Sequence, residues 1–338
     1  MKLLVCGGAG FIGSNFIRYI LAARPDVLVV NYDKLTYAGN LDNLVEVSGD
    51  ARYLFIQGDI CDAEVLDGVF VEHKPDAVVN FAAETHVDRS IHVGSRDFVM
   101  TNVIGTQTIL DAVRRHKTEK FVNISTDEVY GTLQLDEPRL FLESTAFEPN
   151  VPYAAAKAGG DLMCRAYFKT FGVPVIVSHC SNNYGPFQFP EKLIPYAVFK
   201  AMADEPVPIY GDGRYVRDWI HVMDHARAIQ LMLEKGVPGE VYNIGADNER
   251  HNIDVVQMIL AELGKPASLV VTVQDRPGHD RRYGIDATKI KKELGWQPVY
   301  TKEKFTDGLR ETIQWYQKNV DWVEKLRLRQ AEINAHIR

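Results

Sequence analysis

The apolar run Leu3-Leu4-Val5-Cys6 breaks straight into Gly7-Gly8-Ala9-Gly10-Phe11-Ile12-Gly13, and this junction restricts the fold more than any other stretch. The string fits both G-x-G-x-x-G and G-x-x-G-x-x-G, with a strand candidate before it and a helix opening near Phe11. Glycines there let the backbone turn tightly and approach a pyrophosphate, whose charge rests on the helix N-terminus. Such a turn can also merely join a strand to a helix, so the context decides. Asp33 ends the second strand candidate 20 residues beyond Gly13, where an acid can accept hydrogen bonds from an adenosine ribose. A carboxylate there repels a 2′-phosphate and favours NAD over NADP, although neighbouring Lys34 weakens that preference. Asp59-Ile60, ending the third strand, either meets the adenine ring or is an acidic turn.

Short apolar runs alternate with longer amphipathic segments through the first half, which predicts an α/β fold with a doubly wound parallel sheet, the Rossmann arrangement. The strand candidates are Leu3 to Cys6, Val27 to Asn31, Tyr53 to Gln57, Ala77 to Phe81, Phe121 to Ile124 and Val173 to Ser178. Asp97 to Arg115 and Tyr153 to Phe171 carry apolar residues at helical spacing. Beyond about residue 180 turn-rich strings predominate, yet Glu240 to Ile244 reads as a strand returning to the main sheet before Ile253 to Leu263 leaves it again. The expected division is 1–184 for the dinucleotide domain, with returns near 218–248 and 302–318, and 185–338 mostly a smaller, interleaved substrate lobe.

Composition narrows the partners. The 45 acidic and 38 basic residues give a net charge of −7 with no long run of either sign, so neither nucleic acid nor an anionic membrane is expected. Cys6, Cys61, Cys164 and Cys180 show no C-x-x-C pairing and no histidine ladder, which predicts reduced thiols, no metal and a cytoplasmic protein. No apolar stretch reaches signal-peptide or membrane-spanning length, so a soluble, unprocessed chain is expected.

Tyr153 and Lys157 are four residues apart and share a helix face about 6 Å apart. An ammonium at that distance stabilises a phenolate, lowers the tyrosine pKa and also reaches a nicotinamide ribose. Tyr196…Lys200 and Tyr300…Lys304 repeat the spacing, but only Tyr153 follows a strand ending in Ser125-Thr126, at the sheet edge where ligands bind.

At this point the chain resembles the extended short-chain dehydrogenase/reductase family and, within it, the nucleotide-sugar 4,6-dehydratases. The strings that carry the resemblance are Phe81-Ala82-Ala83-Glu84-Thr85-His86-Val87-Asp88-Arg89-Ser90, Ser125-Thr126-Asp127-Glu128-Val129-Tyr130-Gly131, Ser181-Asn182-Asn183-Tyr184-Gly185-Pro186, Pro190-Glu191-Lys192-Leu193-Ile194-Pro195 and Arg276-Pro277-Gly278-His279-Asp280. One departure is Ala156, where relatives usually carry serine before the lysine. The resemblance implies conversion of dTDP-glucose, with UDP-glucose a near neighbour, to a 4-keto-6-deoxy sugar. C4 is oxidised transiently, water leaves across C5–C6, and the hydride returns to C6. Tyr153 takes the 4-hydroxyl proton, Thr126 bonds the 4-oxygen, Glu128 is the base at C5 and Asp127 the acid at the C6 hydroxyl. Adjacent carboxyls can act oppositely only if their surroundings separate their pKa values. An exposed acidic turn is the commoner meaning of a single Asp-Glu pair.

For the cofactor the resemblance adds Phe81, Ala82, Ala83, Thr101, Leu35, Thr36 and Asn183 to Gly7, Gly10, Phe11, Ile12, Gly13, Asp33, Lys34, Asp59, Ile60, Tyr153 and Lys157. For the nucleotide sugar it implies Thr85, Asn182, Lys192, Leu193, Pro208, Ile209, Tyr210, Asn252, Asp275, Arg276, Pro277, Gly278 and His279. Arg217 is the first choice for a phosphate on chemical grounds, the alternative being an ion pair with Asp218 or Asp212. His86 reads as a packed histidine or a catalytic one, and Asp88-Arg89 as a local ion pair. A homodimer pairing the helices 97–115 and 153–171 is implied. The rival readings are an NAD-dependent nucleotide-sugar 4-epimerase or decarboxylase, which does not need an acid at position 127, and a non-catalytic dinucleotide sensor.

Overall fold

The computed structural model describes residues 1–335, with side chains through Arg329. Its strands in chain order are β1 (Lys2–Cys6), β2 (Leu28–Asp33), β3 (Tyr53–Gln57), β4 (Ala77–Asn80), β5 (Lys120–Thr126), β6 (Val175–Cys180), β7 (Asn182–Tyr184), β8 (Val207–Tyr210), β9 (Val216–His221), β10 (Val241–Ile244), β11 (Glu249–His251) and β12 (Val270–Val273). The helices are α1 (Phe11–Ala23), α2 (Ala63–His73), α3 (Val87–His92), α4 (Arg96–Val99), α5 (Thr106–His116), α6 (Pro152–Phe171), α7 (Leu193–Met202), α8 (Val222–Lys235), α9 (Asn252–Glu262), α10 (Thr288–Leu294), α11 (Phe305–Lys318) and α12 (Val320–Ala335).

Seven strands form one sheet in the order β10-β6-β5-β4-β1-β2-β3, every neighbouring pair parallel. The inner strands are mostly apolar on both faces because both are covered, whereas edge strand β3 is only partly buried. Leu3 and Val5 of β1 pack with Phe16, Ile17 and Ile20 of α1, whereas Leu4 and Cys6 face Phe70 of α2 and Leu110 and Val113 of α5. The winding reverses between β1 and β4, so the crevice at their carboxyl ends is the ligand position of this topology. The glycine turn leaves β1 there, and Phe81-Ala82-Ala83 leaves β4 beside it.

β5 runs two residues further than its apolar pattern suggests, because Ser125 and Thr126 pair with His179 and Cys180 of β6. The expected single helix over Asp97 to Arg115 is interrupted: α4 passes through a π-helical turn, Met100–Gly105, into α5. The widened turn lets α6 approach closely, with Gly160 against the carbonyl of Asn102. A periodicity of three and four residues cannot reveal such a turn.

β10 joins the edge of the main sheet, as the Glu240 to Ile244 run predicts. β7, β9 and β11 form a small three-stranded sheet, and β8 with β12 a two-stranded one. A second core lies under them, built from Phe199, Ile259, Leu309, Ile313 and Tyr316 of α7, α9 and α11. Phe187, Trp315 and Trp322 stack at its margin, with ring centroids 4.4 Å apart for Phe187–Trp315 and 5.1 Å for Trp315–Trp322.

Candidate active site

The residues expected at a dinucleotide converge on the crevice. A Cβ on Gly7, which has φ +76°, would strike the backbone of Ala82, so only glycine lets the turn lie against the segment after β4. Gly10 is the N-cap of α1 and lacks a side-chain cap; a Cβ there would meet nothing nearer than Gly7 O at 3.4 Å. The helix N-terminus therefore opens to the crevice, with Phe11 and Ile12 in its first turn and Gly13 packed on Gly7. Asp33 accepts from Ala9 N at 2.8 Å and from Leu35 N at 2.7 Å. Burial raises its pKa and these two amides oppose the rise. Lys34, Thr36, Asp59 and Thr101 line a cleft of about 580 Å³ next to this acid. Lys34 forms an ion pair with Asp59 at 2.7 Å, so it is not a free cation competing with Asp33. Ile60 is packed beneath Gly105.

Thr126 ends β5 and caps the 3-10 turn Asp127–Tyr130, its Oγ1 accepting from Glu128 N at 3.3 Å. That turn sends Asp127 inward: the residue is 1% exposed, and its Oδ2 has no hydrogen-bond partner among the described residues. Burial first, then the neighbouring Glu128 and Asp218, hold the Asp127 carboxyl well above the usual carboxylate range. Glu128 is also raised by burial, but Arg276, Lys192 and Arg217 oppose the rise. Their surroundings thus set the two carboxyls apart, and the exposed-turn reading of the pair is excluded.

Tyr153 and Lys157 project from α6 into the same buried cluster. Their relation differs from the expectation. Lys157 donates Nζ to Ile124 O at 2.6 Å, and burial lowers its pKa. Burial, followed by Glu128 and Cys180, pushes Tyr153 well above its ordinary value, and a hydrogen bond with Thr126 opposes this. The lowering of the tyrosine by the lysine is not seen in this arrangement. Deeper still, Asp161 accepts from Ser125 Oγ at 2.6 Å and Asn123 Nδ2 at 3.1 Å, which ties α6 to the end of β5.

On the substrate side Lys192 donates to Thr85 O at 2.9 Å just before Leu193 opens α7. Arg276 meets Asp88 at 3.5 Å, and Tyr210 Oη donates to the same carboxylate at 3.3 Å. Asp88 is therefore bridged to a distant loop, while Arg89 pairs with Glu84 at 3.1 Å; the local Asp88–Arg89 pair does not form. His86 caps α3, accepting from Arg89 N, and burial lowers its pKa. Arg217 is 5% exposed, donates to Val216 O and Asp280 O, and lies 4.1 Å from the Tyr283 ring centroid. Asp212 pairs instead with Arg281, and Asp218 accepts the amides of Ala246 and Asn248, so neither alternative partner of Arg217 is realised.

Some expected residues are otherwise engaged. Pro208 and Ile209 sit in β8 paired with β12, and the Ile209 side chain belongs to the second core. Asp275 is held by His279 at 2.7 Å and by Tyr215, with the rings of Tyr215 and His279 stacked. Gly278 packs near Val151, on the loop with Asp275, Arg276 and Pro277. Asn183 Oδ1 accepts from His225 Nδ1 at 2.9 Å. Asn182 Oδ1, Asn252 Oδ1 and Arg276 Nε are buried with no hydrogen-bond partner among the described residues.

Glu191 was not singled out by the sequence reading. Its side chain is 5% exposed, pairs with Lys192 at 3.3 Å and accepts from Tyr37 Oη at 3.2 Å, while Oε2 faces His86 Nε2 at 3.8 Å. The only sequence signal was its place between Pro190 and Lys192.

Known proteins resemble this chain in sequence and in overall architecture. The profile of the family described as GDP-mannose 4,6 dehydratase matches residues 4–312. A dTDP-glucose 4,6-dehydratase of Xanthomonas campestris pv. campestris (strain B100) is 51% identical over 339 residues, covering 95% of this chain and 94% of that protein. The crystal structure of a dTDP-glucose 4,6-dehydratase from Streptomyces venezuelae, with NAD and dTDP bound, superimposes with a TM-score of 0.92 at 48% identity, covering 96% of this chain and 100% of that one. UDP-glucuronic acid 4-epimerase from Bacillus cereus, in complex with UDP-glucuronic acid and NAD, gives a TM-score of 0.87 at 28% identity, covering 94% and 99%. A shared backbone thus spans dehydratases and epimerases, whereas the higher identity lies with the former. By profile, by sequence and by architecture this chain belongs to the GDP-mannose 4,6-dehydratase family, among its dTDP-glucose 4,6-dehydratases.

Proposed function

We propose that the chain is an NAD-dependent hydro-lyase converting dTDP-glucose to dTDP-4-keto-6-deoxyglucose. The observation that carries this reading is the burial of Asp127 and its raised pKa beside Glu128, Thr126 and Tyr153, because an epimerase needs no such acid. The glycine turn, the open N-terminus of α1 and Asp33 fit a dinucleotide, and Asp33 fits one lacking a 2′-phosphate. Bound NAD supplies the acceptor for the C4 hydride and later the donor to C6.

Within this reading Thr126 and Tyr153 flank the sugar 4-oxygen, and Tyr153 takes its proton as the phenolate, a form that the Thr126 hydrogen bond favours and that burial and Glu128 oppose. Lys157 orients the buried face of α6 through Ile124 O. Glu128, kept nearer its ionised form by Arg276, Lys192 and Arg217, removes the proton at C5. Asp127, kept protonated, gives its proton to the C6 hydroxyl so that water leaves. Arg217 is held by two carbonyls rather than a carboxylate, so its charge is available to the diphosphate; Tyr210, 39% exposed, offers a face to a pyrimidine. Buried Asn182, Asn252 and Arg276 atoms that lack partners among the described residues support a polar ligand in the same lobe.

Incubation with dTDP-glucose and no added cofactor tests the reading: formation of the alkali-absorbing 4-keto-6-deoxy product supports it. Interconversion to a galactose nucleotide without that product favours the epimerase. Recovery of NAD without any turnover favours the sensor. Parallel reactions with UDP-glucose test the base preference.

We also infer a homodimer. Val99, Met100, Ile104 and Leu162 are exposed on α4, the π-helical turn and α6, which are packed on each other. Light scattering on the purified protein tests it, with a monomeric mass against. Four free thiols support a reducing compartment such as the cytoplasm, and no helix among the described residues is long and apolar enough to cross a membrane.

A further inference from the structure

The C-terminal helix α12 comes from the far end of the chain and fastens itself to the backbone around Asp33 at two separate points. At the first, Arg329 donates Nη2 to Thr36 O at 2.8 Å and Nη1 to Gly39 O at 3.0 Å, bridging both ends of the loop that follows Asp33. At the second, buried Trp322 donates Nε1 to Asn43 Oδ1 at 2.9 Å. Asn43, 1% exposed, passes the link on by donating Nδ2 to Ala9 O at 3.1 Å, and Asn40 N reaches that same carbonyl at 3.0 Å. Ala9 is the residue of the glycine turn whose amide Asp33 holds. Two hydrogen bonds therefore lead from the Trp322 indole to the turn, and one from Arg329 to each end of the neighbouring loop.

The loop needs such outside support. Leu35 is in the left-handed region at φ +57°, which a side-chain-bearing residue keeps only when its surroundings hold it there. Its internal bonding includes Gly39 N to Thr36 O at 3.1 Å, and Tyr37 ties its middle to Glu191. A guanidinium fork on two carbonyls and an indole fixed in the Phe187–Trp315 stack supply rigid geometry from a different lobe. The exposed Lys325–Asp42 ion pair at 2.8 Å lies alongside but adds little in water.

We propose that α12 is a strap for cofactor retention, in which Arg329 and Trp322 are positioning residues that preorganise residues 35–43 and the glycine turn for NAD. Preorganisation acts mainly by slowing release, since the ordering cost is met before the ligand arrives. A cycle that returns its hydride to the same sugar benefits from a cofactor that stays. The inference rests on the placement of the adenosine half beside Asp33 proposed above.

The experiment uses the full-length chain with Arg329→Ala and Trp322→Phe, the second keeping the aromatic packing, and Asp33→Ala as a reference. NAD affinity and release rate are measured by calorimetry and stopped flow, dTDP affinity serves as a control on the other lobe, and amide exchange is followed in the NAD-free protein. The expected result is NAD affinity weakened about tenfold through faster release in both strap variants, with faster exchange over 35–43 and dTDP affinity and kcat at saturating NAD within about twofold. Arg329→Lys, which cannot bridge both carbonyls, falls in between. Unchanged NAD affinity in both strap variants while Asp33→Ala loses it overturns the strap alone. If Asp33→Ala also binds NAD normally, the adenosine placement fails and the strap with it. An equal loss of NAD and dTDP affinity, together with a lower melting temperature, reduces α12 to a general stabiliser and also overturns the proposal.

Discussion

Asp127 and Glu128 are adjacent, yet the 3-10 turn after β5 gives them different electrostatic neighbours. Asp127 meets other carboxylates, whereas Glu128 meets Arg276, Lys192 and Arg217. On the proposed roles the first must be protonated and the second ionised, so the rate should fall on the alkaline side as Asp127 loses its proton and on the acid side as Glu128 gains one. Asp127→Asn should preserve the transient C4 oxidation but slow the loss of water by about 10²-fold or more, and remove the alkaline limb. Rapid-mixing absorbance of the reduced nicotinamide against product formation checks this, and elimination at the original rate counts against the acid assignment. Glu128→Gln should abolish incorporation of solvent deuterium at C5, read by mass spectrometry of the product. The two types and their order were legible in the sequence; their inward aim was not, since it depends on Thr126 capping the turn and on burial by the second lobe. Likewise, Asp88 was expected to pair with Arg89, but residues adjacent on a helix point apart. Its partner Arg276 is 188 positions away, a distance no local pattern spans.

The strand–turn–helix unit at the N-terminus was readable because glycine spacing, an apolar strand and the following acid all point to one geometry. Its glycines nevertheless do different things. Gly10→Ala should leave the thermal midpoint nearly unchanged, because the new methyl meets nothing closer than 3.4 Å, while weakening NAD by intruding on the open helix end. Gly7→Ala should lower stability by about 1–3 kcal/mol, as it combines a positive φ with a collision against Ala82. Differential scanning calorimetry beside NAD titration separates the two. Strands of the main sheet were legible because they are mostly apolar, as cover on both faces of the inner strands allows. The π-helical turn was not, and neither was the departure of Lys157 toward Ile124 O, because both depend on how closely α6 can approach its neighbours.

At the scale of the whole molecule, His225 on α8 is buried and neutral, its pKa driven down to about 3 by burial. Unfolded, it protonates near its ordinary value of about 6.5, so the denatured chain takes up a proton that the native one refuses. Its contribution is fully present above about pH 6.5 and is lost as pH falls from there toward the folded value. Other buried groups shift the total, Asp218 in the opposite direction with a pKa of about 6. The test is therefore a comparison. Urea unfolding at pH 7 and pH 5 should show a shallower decline for His225→Asn than for the wild type, by on the order of 2 kcal/mol. Parallel declines would mean that the histidine is not the proton acceptor.

β10 enters the main sheet only after the chain has built β7, β8 and β9 elsewhere. A ribosome that has released just the first 184 residues has therefore made a sheet whose margin at β6 is still open, with backbone donors and acceptors exposed to any passing strand. Production of residues 1–184 by themselves should therefore yield insoluble material, read by sedimentation of the lysate. β10 then becomes the outer strand, its own margin covered by Glu143 on Asn243 N and by Lys289 on Val241 O.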